Sequence, residues 1–440
     1  MIKSDRVTPP SIDVALAGGI TLVGWGTLAW RSHGEGAMLS GMLVTLAVAW
    51  AALAWAMTHA SLRDSSRILV FGIGFRIISL TAQPVMEDDH FRFLWDGFRF
   101  AVTGDPYAEA PQARFADETI PEEFRALLDR INYPDVPTVY GPLTQWAFRL
   151  AYAIAPAQLW PWKLILFGAE LALFAMLWPV LGARGRLLIA WCPLAVFETG
   201  FNAHPDVLAI ALLVASWWLG KKKYPQAAGV AAGFAVATKV FAVPLVPFLL
   251  WRRGWRAWAW ATGALVALYA PFWLRGSTAD LTGLRAMAGE WEFNSSVHAL
   301  VAALSSPAVA RLLCAGAFAL CWLVIFRRWA RARSLALPPG EWVFGIFLLL
   351  SATANPWYAL WLWPFVAVRN SATGITALAA VSLAYVTGLN LGAASLAYFA
   401  HPWWLRPLEF GLIGLAALHD ARRHRTFHFF FFGGGKRWFT

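Results

Sequence analysis

Apolar runs separated by short polar breaks recur along most of the chain. Measured against the roughly 20 residues a helix needs to span a bilayer, they predict helices at 13–30, 38–58, 68–85, 160–181, 186–201, 205–220, 226–239, 240–251, 257–273, 308–326, 341–356, 358–369, 371–391 and 403–419. Several are too short to cross upright. The expected fold class is an all-α polytopic membrane protein with a bundle of about 12–14 transmembrane helices. From Glu87 to about Pro156 the apolar rhythm lapses. Within that stretch only 143–156 is moderately apolar, and its Gln145, Arg149 and paired aromatics suit a helix lying along the membrane surface.

Composition agrees with this class: 59% of residues are hydrophobic, 14% are charged and 27 are tryptophan. The net charge of +11 sits in short clusters between apolar runs: Lys3/Arg6, Arg63/Arg67, Arg184/Arg186, Lys221 to Lys223, Arg252/Arg253/Arg256, Arg327 to Arg333 and Arg422 to Arg425. That is the distribution the positive-inside rule produces, and it argues against nucleic acid as a partner. With Arg63/Arg67 on the cytoplasmic side, the helix at 68–85 exits and the stretch from Glu87 to about Pro156 is extracytoplasmic. Cys192, Cys314 and Cys321 lie in apolar stretches without metal-ligand spacing, which argues against both a disulfide framework and a zinc site. The first apolar run follows Lys3 and Arg6 but lacks a clear small-residue cleavage site, so it reads as a retained helix.

Chemistry concentrates where the hydropathy drops. Of the 25 acidic residues, 12 lie between Glu87 and Asp135, with no lysine among them. Charge beside hydrocarbon is costly and is usually kept for function, so the run Glu87-Asp88-Asp89-His90-Phe91-Arg92-Phe93-Leu94-Trp95-Asp96-Gly97 is a candidate site. The adjacent Asp88 and Asp89 could supply a general base, because like charge and partial desolvation raise one carboxyl toward the working range. The competing reading makes Glu87 to Asp89 the cap of an amphipathic helix. A divalent metal on Asp88, Asp89 and His90 is allowed by ligand type, but consecutive residues seldom converge on one ion, so no cofactor is expected. Three further polar breaks emerge on the same side: Glu198 to Asp206, Arg275 to His298, and Asn355-Pro356-Trp357-Tyr358. Lys239, between two short apolar segments, must either snorkel outward or meet an anion such as a lipid phosphate. The stripes Trp255/Trp258/Trp260 and Trp361/Trp363 read as interfacial belt or packing.

The ordered set Asp88 to Gly97, Gly104-Asp105-Pro106-Tyr107, Asn132-Tyr133-Pro134, Thr138-Val139-Tyr140-Gly141-Pro142, Asn202-Ala203-His204-Pro205-Asp206, Trp291 to Ser296 and Asn355 to Tyr358 resembles the GT-C glycosyltransferases. It is most similar to bacterial polyprenyl-phosphate-sugar-dependent mannosyltransferase-like proteins. The resemblance implies a GT-C-like bundle with a large first extracytoplasmic loop carrying short interfacial helices. It divides the chain into two additional N-terminal transmembrane helices (1–60), a catalytic module (61–300) with loop 86–158, C-terminal helices (301–420) and a cytoplasmic or interfacial tail (421–440).

The implied activity is transfer of mannose or a similar hexose from a polyprenyl-phosphate carrier to a glycan, lipid or protein acceptor. The implied setting is the bacterial inner membrane, among membrane lipids, with the site facing outward. Asp88 or Asp89 matches the presumed base of inverting transfer, with Asp88 preferred, and Asp206 matches the second acid. Lys239, Arg275 and Arg285 are expected to hold the donor phosphate. His90, Arg92, Trp95, Asp96, Tyr107, Tyr140, Asn202, His204, Trp291, Glu292, Asn294, His298, Asn355 and Tyr358 fill the remaining motif positions as substrate-binding candidates. The two helices ahead of the acidic loop and the His-Pro-Asp turn depart from the commoner pattern. A transporter or flippase of lipid-linked sugars would favour internal repeats and midplane charges. A glycan polymerase or ligase would carry its main loop late in the chain.

Overall fold

The computed structural model describes residues 11–34, 38–85, 87–332, 336–390 and 401–424; the Phe/Gly-rich tail lies beyond them. Among the described residues the chain is helical, with one isolated bridge between Phe293 and Thr353. Helices α1 (Ile12–Arg31), α2 (Met38–His59) and α3 (Ser65–Thr81) lead to the acidic loop, which folds as α4 (Asp89–Thr103), α5 (Glu122–Leu128) and α6 (Pro142–Ile154). Next come α7 (Trp160–Leu177), α8 (Ala183–Trp191), the one-turn α9 (Pro193–Ala195), a π-helix at Val196–Phe201, α10 (Asp206–Lys221), α11 (Pro225–Thr238), the short α12 (Val246–Leu250) and α13 (Trp255–Trp273). The chain finishes with α14 (Leu281–Glu290), α15 (Val297–Leu304), α16 (Pro307–Ala332), α17 (Gly340–Leu350), α18 (Trp363–Arg369), α19 (Ala372–Ala380) and α20 (Leu405–His424).

The all-α polytopic membrane class is the one observed. Among the described residues, four segments have the length and hydropathy to cross a bilayer: Ile12–Arg31, Leu39–His59, Trp160–Val180 and Pro307–Ala332. Several other apolar runs differ from the expected continuous helices. The run at 186–201 breaks at Pro193, which cannot donate into the ladder, and its end winds as a π-helix. The run at 240–251 starts as a 3₁₀ turn (Val240–Leu245) around Pro244, and 341–356 stops at Leu350 before a second 3₁₀ turn, Pro356–Leu362. Irregular backbone at membrane depth survives only where protein covers it; the breaks at Pro193 and Pro356 lie among buried residues, whereas the 3₁₀ turn at Pro244 leaves Val240 and Val243 exposed.

Small residues bring helices together where polar bonds must form. A Cβ on Gly229 or Gly233 of α11 would collide with the carbonyl oxygens of Ala257 and Ala261 on α13, the small-xxx-small contact of membrane helices. Indoles also act as ties: Trp191 Nε1 donates to the Ile68 carbonyl at 2.7 Å and Trp363 Nε1 to that of Leu188 at 2.8 Å. Of the two tryptophan stripes, Trp255 and Trp260 are exposed like a belt, whereas Trp361 and Trp363 are buried.

The loop is a folded unit. Phe91, Trp95, Phe98, Ile120, Phe124, Leu128 and Ile131 form their own core, with Phe98 stacked on Phe124 at 4.1 Å. Phe93 on α4, stacked on Phe148 of α6 at 5.1 Å, and Phe148 against Trp162 of α7 at 4.7 Å fasten this unit to the bundle. On α6, Trp146, Leu150 and Ile154 are exposed at helical spacing while Gln145 and Phe148 are buried, as a helix lying on lipid requires.

Two buried cations went unread in the sequence. Arg76 of α3 pairs with Glu170 of α7 at 2.9 Å, both side chains about 1% exposed. Lys163 of α7 donates to the carbonyls of Ser79 (3.1 Å) and Ala82 (2.7 Å), capping α3. Removing one partner of a buried pair strands the other charge, whereas replacing both with apolar groups is nearly neutral. Glu170→Ala should therefore destabilise the protein by about 3–5 kcal/mol, and the Arg76→Met/Glu170→Met double variant should regain most of that loss, as read by thermal unfolding in detergent.

Candidate active site

The site is built where α4 begins. Asp88 stands at the N-cap position but makes no side-chain capping bond. Its Oδ1 instead accepts from Asn132 Nδ2 at 2.6 Å, and the same nitrogen donates to Asp89 Oδ1 at 3.0 Å. One amide thus holds two carboxylates side by side. Asn132 is placed by Arg92, which grips the backbone carbonyls of Tyr133 at 3.0 Å and Val136 at 3.1 Å. Tyr133 itself adopts φ 45°, a conformation costly for a residue with a Cβ.

Two groups converge on the other oxygen of Asp89. Tyr140 Oη donates to Oδ2 at 3.3 Å, and His204 Nε2 lies 3.6 Å from it. The far nitrogen of His204, Nδ1, donates to Glu198 Oε2 at 2.6 Å, and the ring lies flat on Trp357 at 4.1 Å. Asn202 donates to the same Glu198 oxygen at 3.2 Å, and its Oδ1 accepts from the Val85 N–H at 3.1 Å. The turn is fixed from behind by Trp162 Nε1, which donates to the Ala203 carbonyl at 2.7 Å.

A second charged pair stands one turn further on. Lys239 Nζ donates to both oxygens of Asp206, at 2.7 and 2.8 Å, and Trp361 Nε1 donates to Asp206 Oδ1 at 2.6 Å. The Lys239 ammonium also lies 4.6 Å from the centre of the Tyr358 ring. The anion beside Lys239 in this structure is therefore a carboxylate of the protein itself, a partner the sequence reading did not weigh.

Electrostatics separates the two adjacent aspartates. Desolvation, then the like charge of Asp89, pushes Asp88 up to about 6, against the opposing bonds from its backbone and Asn132. Burial would also raise Asp89, but the neighbouring His204, helped by the bonds from Asn132 and Tyr140, outweighs it and holds Asp89 below the ordinary carboxylate range. Glu87 is raised well above that range, chiefly by desolvation. Glu87, Asp88 and Asp89 each offer an oxygen within 4.8 Å of the others, a spacing that could hold a divalent cation. His90 is outside that group; its ring lies on Phe91 at 3.9 Å and burial lowers it to about 4.

Other motif residues have other surroundings. Trp95 sits in the loop core. Asp96 accepts from Thr138 at 2.5 Å and Gln145 at 2.8 Å, and Tyr107 Oη donates to the Tyr140 carbonyl at 2.9 Å. Arg275 donates to the Gly104 carbonyl at 2.6 Å, and Arg285 is exposed on α14. Trp291 packs on Tyr133 at 4.7 Å, so the 291–298 loop borders the Asn132 side of the site. There Glu292 accepts from Ser295 at 2.6 Å and lies 3.6 Å from His298, while Asn294 donates to Glu409 at 3.0 Å. The Asn355 carbonyl accepts from the Tyr358 N–H at 2.9 Å, closing the turn that presents Trp357 to His204.

The model of the alpha-(1->6)-mannopyranosyltransferase family, N-terminal domain, matches residues 13–254, more than half of the chain. The protein belongs to this mannosyltransferase family. No curated protein and no solved structure matches it. The matched span carries Asp88, Asp89, Asn132, Glu198, His204, Asp206 and Lys239, and starts early enough to include α1 and α2. Membership makes the chain a membrane glycosyltransferase of GT-C type, as the resemblance implied.

In this mannosyltransferase the Asp206 carboxylate is fully buried and Lys239 is its counter-ion. Lys239→Met should accordingly cost about 3–5 kcal/mol of stability, with the Asp206→Asn/Lys239→Met double variant recovering most of it, measured by thermal unfolding of the purified protein.

Proposed function

We propose that the enzyme moves a mannosyl or similar hexosyl residue from a polyprenyl-phosphate carrier to an acceptor hydroxyl on the extracytoplasmic face of the bacterial plasma membrane. The observation that carries this reading is the carboxylate pair at the head of α4, in which Asp88 is free to take a proton near neutral pH while Asp89 stays ionised.

In the proposed step the acceptor oxygen attacks the anomeric carbon as Asp88 removes its proton. The bond from that carbon to the phosphate oxygen breaks, and polyprenyl phosphate leaves with the electron pair. A single displacement inverts the anomeric centre. Positive charge that develops on the sugar ring is met by the ionised Asp89. Charge on the departing phosphate needs a cation: an ammonium has three N–H donors, and Asp206 engages two of those of Lys239. Lys239, whose side chain keeps 13% exposure, offers the third, and Arg275 and Arg285 complete the charge from the exposed side.

Three measurements test this reading. Asp88→Asn keeps the shape but cannot accept a proton, so turnover should fall roughly 100-fold or more in a radiolabelled transfer assay with polyprenyl-phosphate mannose. Undiminished transfer by both Asp88→Asn and Asp89→Asn would reduce the acidic run to a helix start. Because the base works deprotonated, kcat/KM should hold steady above pH 6 and decline below it, following the raised carboxyl of Asp88. For orientation, a cysteine at Asp117 should react with an impermeant thiol reagent in intact cells and one at Lys222 should not; the reverse pattern overturns the topology.

A further inference from the structure

Behind Asp89 stand two groups that the transfer step does not use. Glu198 is completely buried on the π-helix Val196–Phe201. Its Oε2 receives both His204 and Asn202, while Oε1 has no hydrogen-bond partner. A single π-turn shifts the side chains that follow it relative to an α-helix, and such turns recur at functional sites. A carboxylate this deep is costly unless an opposite charge meets it, and the group that meets it is His204.

His204 has little freedom. Glu198 holds Nδ1, Trp357 covers one face of the ring, and Phe93 approaches at 6.4 Å. Ala203, immediately before it, is held at φ 63°, a strained backbone for a non-glycine residue. The outcome of these constraints is that Nε2, fully buried and without a hydrogen-bond partner, is aimed at Asp89 Oδ2, 3.6 Å away.

On the reading that Asp88 is the base, we infer that Glu198 and His204 are positioning residues that hold a fixed positive charge against Asp89, so that the exchangeable proton of the carboxylate pair belongs to Asp88. The charged neighbours of the imidazole are Glu198 from the π-helix and Asp89 and Glu87 from the head of α4; the cation on α7, Lys163, is engaged by the carbonyls capping α3. Burial alone would strip the ring of its charge, but Glu198 and Asp89 prevail and hold His204 at about 10. An opposite charge within ~4–6 Å shifts a carboxylate by about 1–3 units, enough to decide which of two carboxylates sharing one amide takes the proton. Without that charge the two carboxylates would share the proton.

The test compares pH profiles of kcat/KM for mannosyl transfer in the wild type, Glu198→Gln and His204→Gln, with Asp88→Asn alongside. Loss of the cation lets Asp89 compete for the proton, so the acid limb should move upward by about one pH unit in both variants. A purely structural role would lower the plateau and leave the limb near 6. Transfer retained by Asp88→Asn removes the base reading; transfer lost in Asp88→Asn with the limb unmoved in Glu198→Gln and His204→Gln overturns the positioning role instead. Should these variants fail to fold, or Asp88→Asn stay active, NMR of the ¹³C-histidine-labelled wild type decides. Among the 9 histidines, one imidazolium is expected to persist at pH 8. Nine neutral rings at that pH overturn the inference and would instead make Nε2 a lone pair available to a cation in the acidic group, with Glu198 orienting it.

Discussion

The amide of Asn132 is the contact on which the site depends. Two adjacent aspartates at a helix start would ordinarily turn apart, one toward the helix dipole and one toward solvent. Here a single NH₂ group bonds to both, so each carboxylate feels the other's charge at close range. The surroundings of this amide place it: Arg92 grips the backbone that follows it, Tyr133 takes up a strained turn, and the Phe91–Trp95–Phe98 core keeps α4 from rotating. Several motif residues that look like substrate contacts in the sequence, Arg92 and Trp95 among them, thus also buttress the two carboxylates.

The same economy of charge runs through the bundle. Arg76 with Glu170 and Lys239 with Asp206 join elements far apart in the chain, and His204 with Glu198 closes a turn within one segment. In a low-dielectric interior a lone ion is prohibitive and a paired one is roughly neutral in free energy. Such pairs therefore add little net stability while penalising any packing that separates them. By contrast, Arg114 with Asp117 on the outer loop surface is screened by water and specifies little. The pairs that matter are those whose separation would leave a charge in hydrocarbon, and two of them border the carboxylate pair.

The sequence made the helical class, the separate status of the 87–156 stretch and the approximate position of the acid cluster legible, because hydropathy and charge clustering act locally. The helix breaks at Pro193, Pro244 and Pro356 were only partly legible: proline marks where a helix stops, but whether the next turn winds as 3₁₀ or π depends on what packs over it. Partner choice was not legible. Lys239 announced that it needed an anion, yet nothing local said that the anion was Asp206, 33 positions away. Glu198 is visible as an acid inside an apolar run, and the cost of charge in membranes alone marks it as functional. Arg76 and Glu170 were each visible in the same way, and pairing them needed the fold.

Several departures from regular helix surround the site. The π-helix carrying Glu198, the left-handed Ala203 before His204, the left-handed Tyr133 beside Asn132 and the 3₁₀ turn holding Trp357 all serve the same carboxylate pair: Asn132 and His204 reach it, and Glu198 and Trp357 hold His204. Regular helices cannot do this, since residues on one helix face recur only every three or four positions and point along a shared stripe. Bringing Asp89, His204, Trp357 and Lys239 to one point from four separate segments requires the chain to change direction within a residue or two of each. Such bends leave backbone groups without helical partners, which the membrane would not tolerate. Here they are covered by buried indoles and carboxamides: Trp162 bonds to Ala203, and Asn202 bonds to the N–H of Val85. The aromatic richness that first marked the chain as a membrane protein is, on this face, what allows the backbone to leave the helix and assemble the site.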